Sequence, residues 1–362
     1  MKTIPPTPPT GELVPLTSLR GLAAWWVVLF HMRALLAPWL PAPVLTFLGA
    51  GNLAVDLFFL LSGFVIYLNY AERLTSRRVS TREFLFRRFA RIYPLHLLIL
   101  LAFLAYVSAA LLFGSARIEE ENFDYFLASL FLVQNWGFTD ALKWNVPAWS
   151  ISTEFGAYLL FPALLAMLAP WRRPAWLLVA TTIALGVAVH AIFALFALPY
   201  PDAVAQTGLI RCLLQFAMGM LVCELYQRLA GQSRLAMPLL ALAGTLAGLH
   251  ILAGAPVVPL VWASLILGLA LARNRVLEWA PLLWLGNISY ATYLCHYIAI
   301  KIFKLLFVAE GETVGLLPLL ALTAAILTLS AVLYHGFERP AQRWLNLAWD
   351  RRRAPRHWAS AG

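Results

Sequence analysis

Apolar residues run through this chain in long blocks, and polar residues gather between them. A helix of about 17–25 mostly apolar residues crosses a bilayer. Ten blocks reach that length: residues 19–37, 49–70, 93–114, 147–169, 174–198, 208–228, 236–252, 256–272, 283–308 and 313–336. An eleventh stretch, 124–138, is short and is interrupted by Gln134, Asn135 and Gly137. It reads either as a further span or as an element lying in the outer interface. The pattern predicts an all-α, polytopic integral membrane protein of about ten transmembrane helices.

Composition supports this reading. Of 362 residues, 62% are hydrophobic and 12% charged, against about a quarter charged in an average soluble domain. A soluble globule could not cover itself, which excludes a soluble enzyme, a disordered chain and a secreted disulfide scaffold. The three cysteines, Cys212, Cys223 and Cys295, lie in apolar runs and match no metal or CxxC spacing. They read as small buried hydrophobes. The Pro/Thr-rich start, MKTIPPTPPT, has no basic region before an apolar stretch, unlike a signal peptide. The expected organisation is a flexible cytoplasmic arm at 1–14, a transmembrane domain at 15–345 and a basic cytoplasmic tail at 346–362.

The net charge of +10 sets the orientation. Nucleic-acid binding would need a basic patch on a soluble fold, so no nucleic-acid partner is expected. With the N-terminus inside and 124–138 not spanning, 21 of the 27 Lys and Arg residues fall on the cytoplasmic side. Outer segments keep six, against eight acidic residues. This is the asymmetry of a multi-pass protein of the cell (inner) membrane with both termini cytoplasmic. If 124–138 spanned, the basic C-terminal end would face out.

Ionisable residues inside spans are costly and face a partner or a water-filled cavity. Arg20 and His31 lie eleven residues apart on the first span, about three turns and about 16 Å along one face. A mid-membrane imidazole is either a poised acid/base or a structural histidine bonded to a neighbouring helix. Arg33 points elsewhere and reads as a snorkelling or ion-paired residue. In VDLFFLLSGFVIY, Asp56 needs a partner, either Arg33 or a histidine. Ser62 and Gly63, deeper in the span, allow close approach of a ligand or of another helix. Arg88 and Arg91, one turn apart before Tyr93-Pro94, suit a bidentate grip on phosphates. Glu154 sits among Trp149, Ser150, Ser152 and Thr153 as a sugar-binding or proton-accepting wall. Asn287, Ser289, Tyr290, Tyr293 and His296 share the ninth span. Glu338 and Arg339 read as a local ion pair. His190, His250, His335 and His357 read as structural or incidental. No nucleotide loop, hydrolase elbow or metal-ligand spacing occurs, so no metal is expected.

Taken in order, LTSLRGLAAWWVVLFH, DLFFLLSGFVI, RRFARIYPLH, WSISTEF, GNISYATYLCHY and ERPAQRW make the chain resemble the acyltransferase-3 family of integral membrane O-acyltransferases. The likeness covers about residues 15–345. It implies a ten-helix fold, a cytoplasmic acyl-CoA donor, by family acetyl-CoA, and an outward-presented carbohydrate or glycoconjugate acceptor. No permanently bound cofactor is implied. It marks Arg20, His31, Arg88 and Arg91 as functional, with Glu154 a further candidate. His96 stands where many relatives carry an aromatic residue. The extra soluble esterase-like domain of some relatives is absent from this sequence. On this reading the site residues are His31, Asp56 and Glu154 for catalysis, and Arg20, Arg88, Arg91, Ser62 and Gly63 for the donor. His31 acts as general base or as acyl relay, with Asp56 or Glu154 orienting it. The rival expectation is a transporter or flippase for a lipid-linked sugar or small molecule. Transporters often show two similar halves, and no internal repeat is visible here.

Overall fold

The computed structural model describes residues 13–113, 122–168, 174–272, 276–308 and 313–353. The N-terminal arm to residue 12, Arg117, Glu119–Glu121, Arg172, Arg173, Arg273, Arg275, Glu310, Glu312 and the tail beyond 353 lie outside them. All regular structure among the described residues is helical. Each of the ten expected stretches is helical: α1 (Val14–Leu36), α3 (Ala54–Thr75), α4 (Thr81–Leu112), α6 (Trp149–Leu168), α7 (Ala175–Leu195), α8 (Val204–Arg228), α9 (Ala236–Ala253), α10 (Val258–Leu271), α11 (Ala280–Phe307) and α12 (Leu316–Leu333). Three further helices are α2 (Ala42–Gly49), α5 (Phe123–Leu130) and α13 (Arg339–Arg353). Eight helical stretches are long and apolar enough to cross a membrane by length and composition; α10 is apolar but only 14 residues long.

Polarity is arranged inside out. Leu112, Phe113, Leu195, Ile251 and Leu252 are each more than three-quarters exposed, whereas Asp56, Ser152, Thr153, Arg211 and Gln215 are buried within the bundle. A lipid-facing exterior and a polar interior follow when hydrocarbon replaces water outside. Two helix pairs pack at backbone contact. A Cβ on Gly63 of α3 would lie 2.0 Å from the Phe216 carbonyl oxygen of α8, and one on Gly219 would lie 2.0 Å from the Leu60 oxygen. Gly286 of α11 meets the Thr17 oxygen of α1 in the same way, at 2.1 Å.

Contacts between helix ends sort the molecule into two poles. At one pole Ser18 donates to the Leu277 carbonyl, Tyr67 to Glu224 and Arg87 to Asp350. At the other, Asn52 donates to Asp202 and Trp39 to the Val314 carbonyl. These contacts set α1 and α11 running from the first pole to the second and α3 and α8 the opposite way.

Three segments extend or resolve the sequence expectation. Helix α4 begins at Thr81, not 93, and carries Pro94 inside it. Ser80 caps it by accepting from the Glu83 N–H, so the arginine-rich stretch is a helical extension that a search for apolar length passes over. The 124–138 stretch is not a span. Its helix α5 has eight residues, and the following coil is held inside the protein by hydrogen bonds. Asn135 donates to the Val204 carbonyl, Trp136 to the Ser152 carbonyl and Ser152 to the Leu132 carbonyl. Irregular backbone at such depth requires this internal pairing. Finally, the beginning of the tail is helical. Helix α13 stacks Trp349 on Phe86 with ring centroids 4.3 Å apart, and Asp350 pairs with Arg87 at 3.0 Å.

Candidate active site

Two cavities within the bundle gather the expected residues. The first, of about 150 Å³, is lined by Arg20, Ser62, Arg88, Arg91, Glu154 and Tyr293, among others. It draws these from α1, α3, α4, α6 and α11, so the fold brings five of the eight expected site residues into one wall. Arg20 donates from Nε to Ser289 Oγ (2.9 Å) and from Nη2 to the Gly286 carbonyl (3.0 Å). The close α1–α11 crossing at Gly286 is what brings that carbonyl within reach. Arg88 donates to the Tyr70 hydroxyl at 3.0 Å and lies over the Tyr70 ring, while its Nε has no hydrogen-bond partner. Glu154 accepts from Ser62 Oγ (2.5 Å) and from the Tyr158 hydroxyl (2.6 Å).

Arg91 is engaged differently from the expected phosphate grip. It forms an ion pair with Glu338, which is 2% exposed. This also replaces the local Glu338–Arg339 pair expected from sequence. Residues Tyr334–Glu338 form a π-helical turn between α12 and α13. The wider turn shifts the helical register, and Glu338 faces α4 instead of its own neighbour. Glu338 is thus a site residue that sequence reasoning passed over; its signal was a carboxylate just beyond an apolar span.

The second cavity, of about 200 Å³, is lined by His31, Asn52, Trp149, Asp202, Arg211 and Tyr293, among others. His31 Nδ1 lies 2.9 Å from the Val27 carbonyl oxygen and 3.2 Å from His296 Nε2. His296 Nδ1 lies 3.1 Å from the Thr292 carbonyl oxygen. A carbonyl can only accept, so each Nδ1 carries the hydrogen. The one Nδ1 hydrogen of His31 thus lies between two acceptors, the Val27 carbonyl and His296 Nε2, and His31 Nε2 keeps its lone pair on a ring that lines the cavity. This is the protonation pattern that a general base requires, with the second histidine as its orienting group.

Neither expected carboxylate touches this pair. Glu154 belongs to the first cavity. Asp56, fully buried, accepts from Arg211 Nε (2.7 Å), Gln215 Nε2 (2.5 Å) and the Tyr200 hydroxyl (2.5 Å). Its partner is therefore Arg211, not Arg33 or a histidine. Arg33 is exposed, donates to the Phe30 carbonyl and lies over the Phe30 ring. Gly63 is corrected too, because its α-carbon faces α8 at backbone distance and serves helix packing, not a ligand. Arg211 was counted from sequence only as an outer cation. It is 2% exposed, and its Nη2 has no hydrogen-bond partner.

The remaining expectations can be placed. Cys212, Cys223 and Cys295 are free and buried. His96 ties α4 to α5 by donating from Nε2 to the Ser129 carbonyl at 2.8 Å. His250 donates to the Ala255 carbonyl at the end of α9, and His190 packs on Tyr200.

A family model described as an acyltransferase domain matches residues 16–335. The chain belongs to the acyltransferase-3 family. It is 36% identical over 133 residues to the acyltransferase MdmB of Streptomyces mycarofaciens, covering 35% of this chain and 32% of that protein. It is 27% identical over 219 residues to the O-acetyltransferase OatA of Staphylococcus aureus, covering 56% of this chain and 34% of that one. It is 38% identical over 98 residues to protein 2 of the picA locus of Rhizobium radiobacter, covering 27% of this chain and 47% of that one. The chain thus matches about a third of the length of the first two relatives. No solved structure matches.

Proposed function

We propose that this family member is a membrane O-acyltransferase that moves an acyl group from cytoplasmic acyl-CoA to a hydroxyl of a sugar or glycoconjugate. The observation that carries the reading is the pairing of an arginine-lined cavity with a separate chamber in which His31 is held with Nε2 unprotonated. Arg20, Arg88 and Arg91 lie toward the basic pole, which we assign to the cytoplasm, in the inner membrane, with both termini inside. Acyl-CoA carries about four negative phosphate charges, and guanidiniums hold phosphates through paired hydrogen bonds. Its pantetheine arm would reach from there toward His31.

In the second chamber the acceptor hydroxyl gives its proton to His31 Nε2 while its oxygen attacks the thioester carbon. The carbon–oxygen bond forms, the tetrahedral intermediate collapses, and the carbon–sulfur pair leaves with CoA. The proton on His31 then passes to the thiolate. His296 holds the imidazole in the reactive tautomer throughout. Asn52, Asp202 and the unpartnered Nη2 of Arg211 offer polar contacts to a polyhydroxylated acceptor. A relay in which His31 itself takes the acyl group uses the same lone pair. A transporter would need the arginine cavity but not the tautomer-locked imidazole.

The test is CoA release from radiolabelled acetyl-CoA by membranes carrying the protein. His31→Ala should abolish release and transfer. Full transfer by that variant would sink the base and relay versions alike.

A further inference from the structure

The arginine cavity and the His31 chamber share a single lining residue, Tyr293. Its ring is 5% exposed and lies edge-on to Phe58 at 5.6 Å. Its hydroxyl is held from both sides. It bonds to Ser150 Oγ at 2.8 Å and donates to the Pro147 carbonyl at 3.1 Å. Ser150 and Phe58 line only the arginine cavity, while Pro147 lines only the His31 chamber. The aromatic ring is thus a wall common to the two cavities and fixed at its tip. Tyr293 also lies one turn before His296 on α11, with the two rings 6.1 Å apart.

We propose that Tyr293 is the partition between donor and acceptor chambers and sets the size of acyl group that reaches His31. The proposal rests on the donor and acceptor reading above. A short acyl group needs only a small displacement of a tethered ring, whereas each further methylene must displace more of it. Tyr293 is therefore a specificity-determining residue.

Two measurements test it. In membranes, turnover of butyryl-CoA relative to acetyl-CoA should rise about tenfold or more in Tyr293→Ala, the scale at which one or two methylenes are discriminated in an apolar pocket. Tyr293→Phe keeps the ring and should keep the ratio near that of the unaltered protein. An unchanged ratio in Tyr293→Ala with acetyl turnover retained would overturn the proposal. The second measurement does not depend on acyl-CoA. Val55 lines the His31 chamber and is 4% exposed. In inside-out vesicles, Val55→Cys should react with a membrane-impermeant charged thiol reagent at least about tenfold faster when combined with Tyr293→Ala, the tenfold matching a change of about 1.4 kcal/mol in opening. Labelling of the protein without Val55→Cys is subtracted. If Tyr293→Ala fails to fold, Ser150→Ala removes one tether and should also raise the rate. Equal rates in the folded variants would refute the wall. Absence of any acyl-CoA turnover in the unaltered protein would instead refute the donor reading and leave the labelling result to judge the wall.

Discussion

Asparagine at position 56 separates a structural carboxylate from a catalytic one. Asp56 and Arg211 are 0% and 2% exposed and are joined at 2.7 Å. Asn would keep an acceptor oxygen for Gln215 or Tyr200 but would leave the Arg211 guanidinium buried without its counter-charge. Breaking such a pair from one side costs about 3–5 kcal/mol. Removing the stranded charge with a second change, Arg211→Met, should recover part of that loss, because an apolar side chain of similar length needs no counter-ion. The assay is thermal unfolding of detergent-purified protein, followed by tryptophan fluorescence, for the two single variants and the double. We expect Asp56→Asn to unfold at a clearly lower temperature, and the double variant to lie above it. At low temperature the surviving folded Asp56→Asn protein should retain acyl transfer within about an order of magnitude. If Asp56 were the orienting carboxylate of a triad, the same change would leave stability intact and lower turnover by about 10⁴. That outcome would refute the assignment of Asp56 to the Arg211–Tyr200–Gln215 network.

Four further expectations follow from the same geometry. Arg88→Ala should raise the KM for acyl-CoA about tenfold to a hundredfold, the loss of about 1.5–3 kcal/mol expected for a charged hydrogen bond, with little change in kcat; an unchanged KM would remove Arg88 from the donor site. Arg91→Gln and Glu338→Gln should each destabilise the protein more than the pair does together, a coupling of at least about 0.5 kcal/mol in a double-mutant cycle; additive melting shifts would count against the ion pair. His296→Ala should lower kcat while leaving the acyl-CoA KM unchanged, because it frees the His31 ring and touches no donor contact; equal kcat in the variant would dismiss His296 as the orienting group. Gly63→Ala should deplete folded protein in size-exclusion profiles, since its Cβ would meet the Phe216 oxygen at 2.0 Å. A normal yield would show that α3 and α8 can separate at no cost.

Hydrophobic block length made ten helices legible because each span must satisfy its own backbone in lipid, and length alone enforces that. It could not find the first three turns of α4, where the helix rests on a Ser80 cap and on charged side chains. Arg20, Ser62 and Glu154 were legible because ionisable or hydroxyl groups inside spans turn inward, and Arg88 and Arg91 by their one-turn spacing before the third span; that all five line one cavity was not. Which carboxylate answers which cation was not legible. Asp56 finds Arg211 155 positions away, and Arg91 finds Glu338 247 positions away. Those pairings depend on the rotational setting of α8 and on the π-turn after α12, and neither leaves a spacing in the sequence. The same holds for His296, whose role depends on its ring meeting that of His31 across the glycine-mediated contact of α1 and α11.

The two buried ion pairs also bear on why His31 has a histidine for its partner. A carboxylate beside His31 would favour its protonated form and remove the base. Here Asp202, which lines the His31 chamber, accepts from Asn52, Asp56 is committed to three donors on α8 and the preceding loop, and Glu154 is committed to two hydroxyls in the other cavity. A neutral imidazole at the Nδ1 side fixes the tautomer without adding charge, so His31 Nε2 stays available to a hydroxyl. The arginine cavity needs the opposite balance. There the guanidiniums outnumber the carboxylates, and pairing Arg91 with Glu338 limits the repulsion among three half-buried cations while leaving a net positive wall for phosphates. Tyr293 stands between the chamber of the His31 base, where Asp202 and Arg211 are opposite in charge, and a cavity that must remain positive to hold its donor. An uncharged aromatic wall separates the two fields without adding to either.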